Sequence, residues 1–398
     1  MTSCFNILPN KGIIMEHKFY NRIRSFVCVK PEKFSLCIVI LLVLLCFGHV
    51  QLNGQTLRDS TRGKAGFEIK STYGFLIVHR PVLEILQEKH AYGLELSYLK
   101  PSDGSKSFQE KFLFPDVGWT LAWFNLGNPD RLGSGIAVYP FVNIPLHDKD
   151  DWRFHIRYGV GLGYIEKIFD TKENVKNAAI GTHLNGIMHF DIHLEKEISV
   201  STLIELGAGI THFSNGSTGI PNLGINMAMA NLGLMHYFGQ KNTIRRNVAD
   251  KKVAKAGFQT FIAGAFKKIY PPKGKTYGAG TVSFSYVHPI RQKSSWYLGA
   301  ELFYDKSLQE RLHRENSSRQ GSSANFRPGI YAGYEVRLGH VGMLLNMGMY
   351  PYTQWKGDGN FYHRLGTRYY FDNLFILMNL KTHFAKADFI EWGLGYHF

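Results

Sequence analysis

After residue 46 the sequence contains no cysteine: its 4 are Cys4, Cys28, Cys37 and Cys46. They fall in a stretch that opens with Arg22, Arg24, Lys30 and Lys33 and continues into the apolar run Phe34 to Gly48. That run is shorter than the ~20 residues of a membrane-spanning helix and suits the core of a secretory signal peptide. Residues 1–54 are therefore expected to be a leader cut near Gly54, with Met15 as an alternative start and Leu45 arguing against a lipid anchor on Cys46. The exported chain, 55–398, then has no thiol, which excludes a disulfide scaffold, thiolate metal sites and a cysteine nucleophile.

Two further shortages narrow the class. No later segment has an apolar run long enough for a membrane helix. Acid is scarce: 46 Lys and Arg face 31 Asp and Glu, a formal charge of +15. In an exported protein this excess points to anionic lipid head groups or sugar phosphates, with a solvated basic surface as the plain alternative; no nucleic-acid partner is expected.

What the chain does have is aromatic residues, 14% of the total, and alternation. Ile330, Ala332, Tyr334, Val336 and Leu338 line one face of a strand, against Tyr331, Gly333, Glu335 and Arg337 on the other. Strands are expected at 66–77, 90–99, 117–125, 134–145, 153–165, 182–194, 198–214 and 223–238, then at 257–269, 277–288, 294–304, 326–338, 340–350, 361–371, 373–384 and 389–398. Such a series without a membrane helix predicts an all-β fold, a transmembrane antiparallel outer-membrane β-barrel, as one barrel of about 12–16 strands. A basic connector, 239–256, divides it into 55–238 and 257–398; two separate eight-stranded barrels are the less favoured arrangement. Polar segments 166–181 and 305–325, the latter with Arg311, Arg314 and Arg319, are expected as extracellular loops able to hold phosphates. Segments 100–116 and 239–256 are long for periplasmic turns.

Chemistry concentrates in residues 200–238. Val200, Thr202, Ile204, Leu206, Ala208 and Ile210 alternate with residues of which Ser201, Glu205, Gly207, Gly209 and Thr211 are small or polar, and run in register into His212 and Ser214. A base and a hydroxyl thus share the apolar face. Gly216, Gly219, Pro221 and Asn222 supply a turn, after which Asn226, Ala228, Ala230, Leu232 and Leu234 resume the pattern. A hairpin centred on Gly219 makes His212 and Asn226 cross-strand partners on one face. A serine hydroxyl needs a base to take its proton, and the base needs a third group to orient its ring. Ser214, His212 and Asn226 fill these roles, with Asn215 and the backbone amides of Gly216 and Ser217 as oxyanion donors. A His-x-Ser pair alone is more often decoration of a strand end, but polar groups facing hydrocarbon are costly without a purpose. Gly159-x-Gly161-x-Gly163 sits inside a strand with no helix after it, and His183, His189 and His193 read as scattered lumen or surface residues, so neither cofactor nor metal is expected.

The run His212-Phe213-Ser214-Asn215 followed by Pro221-Asn222-Leu223-Gly224-Ile225 resembles the lipid A 3-O-deacylase family of outer-membrane barrels, over about 212–226. The resemblance implies a serine ester hydrolase on the outer wall of a barrel in the bacterial outer membrane, acting on lipopolysaccharide and removing the acyl chain at position 3 of lipid A. It implies Ser214 as nucleophile, His212 as base and Asn215 in the oxyanion hole. The family's acidic third member falls on Asn226, which can orient an imidazole but cannot offset an imidazolium charge. The alternation of Trp392, Leu394, Tyr396 and terminal Phe398 resembles the signature that the barrel-assembly machinery reads. A porin or scaffold barrel and an outer-membrane phospholipase are the competing expectations.

Overall fold

Each strand in a membrane must pair both of its edges, because hydrocarbon offers no hydrogen bonds to a free one. In this chain that requirement is met twice over. The structure, a computed structural model, describes residues 64–149, 152–239, 256–291, 293–315, 321–384 and 386–398. The expected leader, Arg319 and nearly all of the connector lie outside the described residues. Strands β1 (Ala65–Leu76), β2 (Ala91–Lys100), β3 (Asp116–Asn125), β4 (Ser134–Lys149), β5 (Trp152–Ile165), β6 (Leu184–Ser199), β7 (Thr202–Ser214) and β8 (Ile225–Phe238) form the first group. The second comprises β9 (Gly257–Lys268), β10 (Thr276–Arg291), β11 (Ser294–Asp305), β12 (Phe326–Leu338), β13 (Val341–Met349), β14 (Phe361–Phe371), β15 (Leu374–His383) and β16 (Lys386–His397).

Every expected strand is present, but they do not form one large barrel. β1 pairs with β8, from Ala65↔Phe238 to Leu76↔Met227, and β9 pairs with β16, giving two closed eight-stranded barrels. Alternation is the same for a strand of either barrel, so it reports strand number and not closure.

The lumens suit the smaller size, since eight strands leave room only for side chains. In the first, Arg157 donates to Glu68 (Nη1 to Oε2, 2.6 Å), and Lys70 lies 2.6 Å from Glu205 and 3.2 Å from Asp191. In the second, Arg364 lies between Glu301 at 2.6 Å and Glu391 at 2.8 Å. All of these groups are buried. Outside, the wall is apolar and exposed, with Phe67, Tyr98, Trp119 and Phe238 towards one rim and Tyr73, Tyr92 and Trp123 towards the other. This is the double aromatic girdle of a membrane barrel.

The barrels touch along their walls. Ile144 and Ile156 of the first are buried with Tyr334, Val336, Met343 and Leu345 of the second. Between membrane-embedded walls such contact is favoured by close packing, since lipid offers as good an apolar surroundings. The length of 100–116 has its explanation here. It carries the short helix α1 (Ser107–Lys111), and the Phe112 that follows packs into this seam, with the Lys293 ammonium 4.9 Å from its ring centre.

Arg157 holds Glu68 through both guanidinium NH2 groups and also lies 3.6 Å from Glu205. Arg157→Met leaves Glu68 with Lys70 at 3.9 Å as its one cation among the described residues and is expected to destabilise the protein by about 3–5 kcal/mol, read from the urea midpoint in detergent; an unchanged midpoint contradicts the assignment.

Candidate active site

The β7–β8 hairpin has the register that its alternation predicts, with His212 opposite Asn226. Ile204, Leu206, Leu232 and Leu234 are exposed on the outer wall, whereas Glu205 is buried in the lumen against Lys70. The even positions therefore face outward, and His212, Ser214 and Asn226 close that outer stripe at the rim. Between the strands the chain turns through Gly216 (φ 58°) and Ser217 (φ 64°). Gly216 is required twice, since a Cβ there would also lie 2.3 Å from Ile390 of the second barrel. Gly224 (φ 83°) leaves space for the base: a Cβ would lie 2.8 Å from His212 Cε1.

Asn226 Oδ1 accepts a hydrogen bond from His212 Nδ1 at 2.6 Å. The amide is itself held. Asn226 Nδ2 donates to Nδ1 of His79 at 3.1 Å, and His79 Nε2 donates to the carbonyl of Leu223 at 3.1 Å. His79 Nδ1 also lies 3.4 Å from Ile77 O, but the shorter contact comes from an N–H, so Nδ1 is the acceptor. This chain fixes the tautomers: an amide can present either end, but with Nδ2 committed to His79 only Oδ1 faces His212. His212 then carries its proton on Nδ1, and Nε2 has a free lone pair.

His79 is not marked as functional by any sequence pattern. It follows β1, and it reaches the site because β1 closes onto β8 and Ile77 N–H continues the ladder to Asn226 O at 2.7 Å. In a single large barrel β1 would close elsewhere.

Ser214 is buried, and its hydroxyl is engaged by Asn222. Asn222 Oδ1 accepts from the Asn215 N–H at 3.0 Å, which turns Nδ2 to donate to Ser214 Oγ at 3.1 Å. Gly216 N–H also donates to Oγ, at 3.3 Å. Among the described residues no hydrogen bond links His212 to Ser214, although both belong to one face. Such bonds are often looser before substrate arrives. Asn215 is buried with its Nδ2 unpartnered, while its Oδ1 accepts from Gly219 N–H at 3.4 Å. Two donors therefore reach Oγ, Asn222 Nδ2 and Gly216 N–H. The sequence assigns Asn222 only to the turn; its side chain proves to be the nearest polar contact of the hydroxyl. Ser217 is tied to the second barrel by its hydroxyl and its carbonyl. Its hydroxyl donates to Ala387 O at 3.0 Å and its carbonyl accepts from Lys268 N–H at 2.7 Å, both on the second barrel.

The end of segment 166–181 packs against the active-site turn. Ala179 and Ile180 are fully buried, Ile180 bridges to Asn222, and Ala179 O accepts from Gly224 N–H at 2.9 Å, so the segment buttresses the turn. The histidines divide. His183 bonds the Ile165 carbonyl, whereas His189 and His193 flank Asp191 in the lumen. There His155, His193 and Glu195, and likewise Asp191, His193 and Glu205, present ligand atoms within 4.8 Å of one another. These are groups of a type that could hold a divalent cation, on the other side of the wall from Ser214.

Residues 92–235 match a family model described as lipid A 3-O-deacylase (PagL), and residues 255–398 match one described as acyloxyacyl hydrolase, C-terminal domain. No curated protein matches the chain. Among solved structures, the outer membrane enzyme PagL is 16% identical, over 42% of this chain and 97% of its own, with a TM-score of 0.31. Neisserial surface protein A is 5% identical over 44% of this chain and 98% of its own, with a TM-score of 0.30. A porin of Rh. blastica is 9% identical over 84% of this chain and 100% of its own, with a TM-score of 0.18.

Gly224→Ala forces a side chain against His212 at a positive φ. A loss of about 10²-fold in ester hydrolysis is expected from displacing the ring by about an ångström, with a fall in melting temperature from the backbone strain. Unchanged hydrolysis would separate the ring's position from activity.

Proposed function

We propose that the chain, whose residues 92–235 match the lipid A 3-O-deacylase family model, is a serine ester hydrolase that removes an acyl chain, the one at position 3, from lipid A in the outer leaflet of the bacterial outer membrane. The carrying observation is the outward-facing His212–Asn226 pair, 2.6 Å apart, with Ser214 two residues further along the same stripe.

An acylated lipid approaches the wall sideways, its chains remaining in hydrocarbon and its ester carbonyl entering beside Ser214. As the carbonyl takes over the Asn222 and Gly216 donors, the hydroxyl turns to His212. Oγ attacks the acyl carbon while His212 Nε2 takes its proton, and the developing oxyanion lies among Asn222 Nδ2, Asn215 Nδ2 and the Gly216 amide. Collapse of the intermediate breaks the bond to the sugar oxygen, which takes the proton from His212. Water, deprotonated by the same nitrogen, then attacks the acyl-serine, releasing a fatty acid and the free hydroxyl of Ser214.

The third position sets the rate. In a Ser-His-Asp triad, an amide in place of the acid lowers kcat by about 10⁴, largely because it selects the wrong tautomer. His79 addresses that part by pinning the amide so that Oδ1 faces the imidazole. The imidazolium charge remains uncompensated. The filled lumens count against a porin, since eight strands with buried charge pairs leave no aqueous path.

In a Gram-negative host the wild-type chain is expected to reduce the mass of lipid A by one acyl group, and Ser214→Ala to leave it unchanged. An unaltered mass with both would sink the proposal; fatty acid released from purified phospholipid instead would replace lipid A as substrate. Asn226→Glu is expected to raise the rate, by no more than about 10⁴-fold. His79→Ala should lower it about fivefold, the loss of one hydrogen bond. A rate that falls in Asn226→Glu would show that the amide is the required partner.

A further inference from the structure

The rims of the two barrels leave a cavity of about 550 Å³ between them. One side is the active-site turn, through Ser217 and Asn222; the other is the rim of the second barrel, through Lys268, Arg314 and Lys386. The turn is fastened to that rim on both flanks. Lys268 N–H donates to Ser217 O, and Ser217 Oγ donates to Ala387 O, the neighbour of Lys386. Ser217 is three residues from Ser214, at most about 10 Å of chain. Asn222, which touches Ser214 Oγ, is itself part of the lining.

The charges around this cavity do not cancel. Asp388 is taken by Lys267 and by Lys381, the latter at 2.8 Å. Asp358 is taken by Arg311 at 3.2 Å and Arg327 at 2.9 Å. Arg314, in the helix α2 (Ser307–Arg314), pairs with Glu310 at 2.8 Å. Glu315, at the end of that helix, is exposed. Lys268 and Lys386 have no ion pair among the described residues. Lys268 is half-buried, so its charge is partly dehydrated with no counter-ion. Two lysines lining one cavity beside a nucleophile, Lys268 half-buried and Lys386 exposed, favour a compact anion with several acceptor oxygens.

We propose that this inter-barrel cavity holds a phosphate group of the glycolipid substrate, gripped by Lys268 and Lys386, so that the second barrel supplies the phosphate subsite of the hydrolase on the first. This rests on the lipid A reading, and it gives the second barrel a place in the reaction. A phosphorylated, acylated sugar carries its phosphate and its ester close together, and the cavity and Ser214 are joined by one short turn. Holding the phosphate positions the ester without any contact at the reacting atoms. Lys268 and Lys386 are thus binding residues, and their removal should act on KM.

The test uses the full chain in detergent micelles, with Lys268→Gln, Lys386→Gln and the double variant. On phosphorylated lipid A each single variant is expected to raise KM about tenfold, the worth of one charge-assisted hydrogen bond, with kcat little changed. On the same lipid after removal of its phosphates the variants should match wild type. An equal loss on both substrates, or none on either, overturns the subsite. Binding is measured separately with Ser214→Ala, as the rise in melting temperature on adding phosphorylated or dephosphorylated lipid A. That arm stands even if no deacylation occurs: a preference for the phosphorylated lipid that the double lysine variant abolishes supports the subsite, and equal shifts refute it. Inorganic phosphate at the same concentration distinguishes the source. A shift with lipid alone assigns the site to the glycolipid, whereas an equal shift with the free ion overturns that assignment.

Discussion

The pairing of β1 with β8 is the constraint from which the site follows. Hydrocarbon tolerates no open strand edge, so the eighth strand must find a partner. By finding it in β1 it brings Ile77 onto Asn226 and, two residues on, His79 against the Asn226 amide. The same closure narrows the lumen until Arg157, Glu68, Lys70 and Glu205 fill it. Their mutual neutralisation stiffens the wall on which the outer stripe is mounted. Closure, lumen packing and the orientation of His212 are thus one event.

That event explains what the sequence could and could not convey. Period-two alternation is local, so the strands and the His212–Asn226 register are readable from the residues themselves. Which strands meet at the barrel's seam is a property of the whole chain. Val336 and Ile156 read like any lipid-facing residue, yet they bury each other between two walls. His79 is invisible for the same reason: nothing within reach of it in sequence is functional, and only the closure makes it a neighbour of Asn226. Asn222 was hidden differently, because an asparagine in a turn already has a sufficient local explanation. Its amide serves Ser214 only because its Oδ1 is fixed by the Asn215 N–H.

The position of Asn226 shows how one substitution changes the demands on its neighbours. A carboxylate accepts through either oxygen and needs no orientation to hold an imidazole in the Nδ1–H tautomer. An amide has one correct end, so a second group must choose it. His79 makes that choice through its Nδ1, which accepts from Asn226 Nδ2 while its Nε2–H is held by the Leu223 carbonyl. The orientation of the base therefore depends on a ring that the sequence places 133 residues away from it.

The second barrel bears on the same turn from the other side. Gly216 passes Ile390 with no room for a side chain, and Ser217 is bonded to two segments of that rim, so the backbone following the nucleophile is held by both barrels. The amide of Gly216, aimed at Ser214 Oγ, is the donor most sensitive to this, since its direction is set by the φ of 58° at that residue. A donor that stabilises a transition state must be fixed before the charge develops, because reorganising it during reaction consumes the stabilisation. An isolated eight-stranded barrel has to stiffen such a turn from within its own loops. Here the neighbouring rim shares that task with the 166–181 buttress.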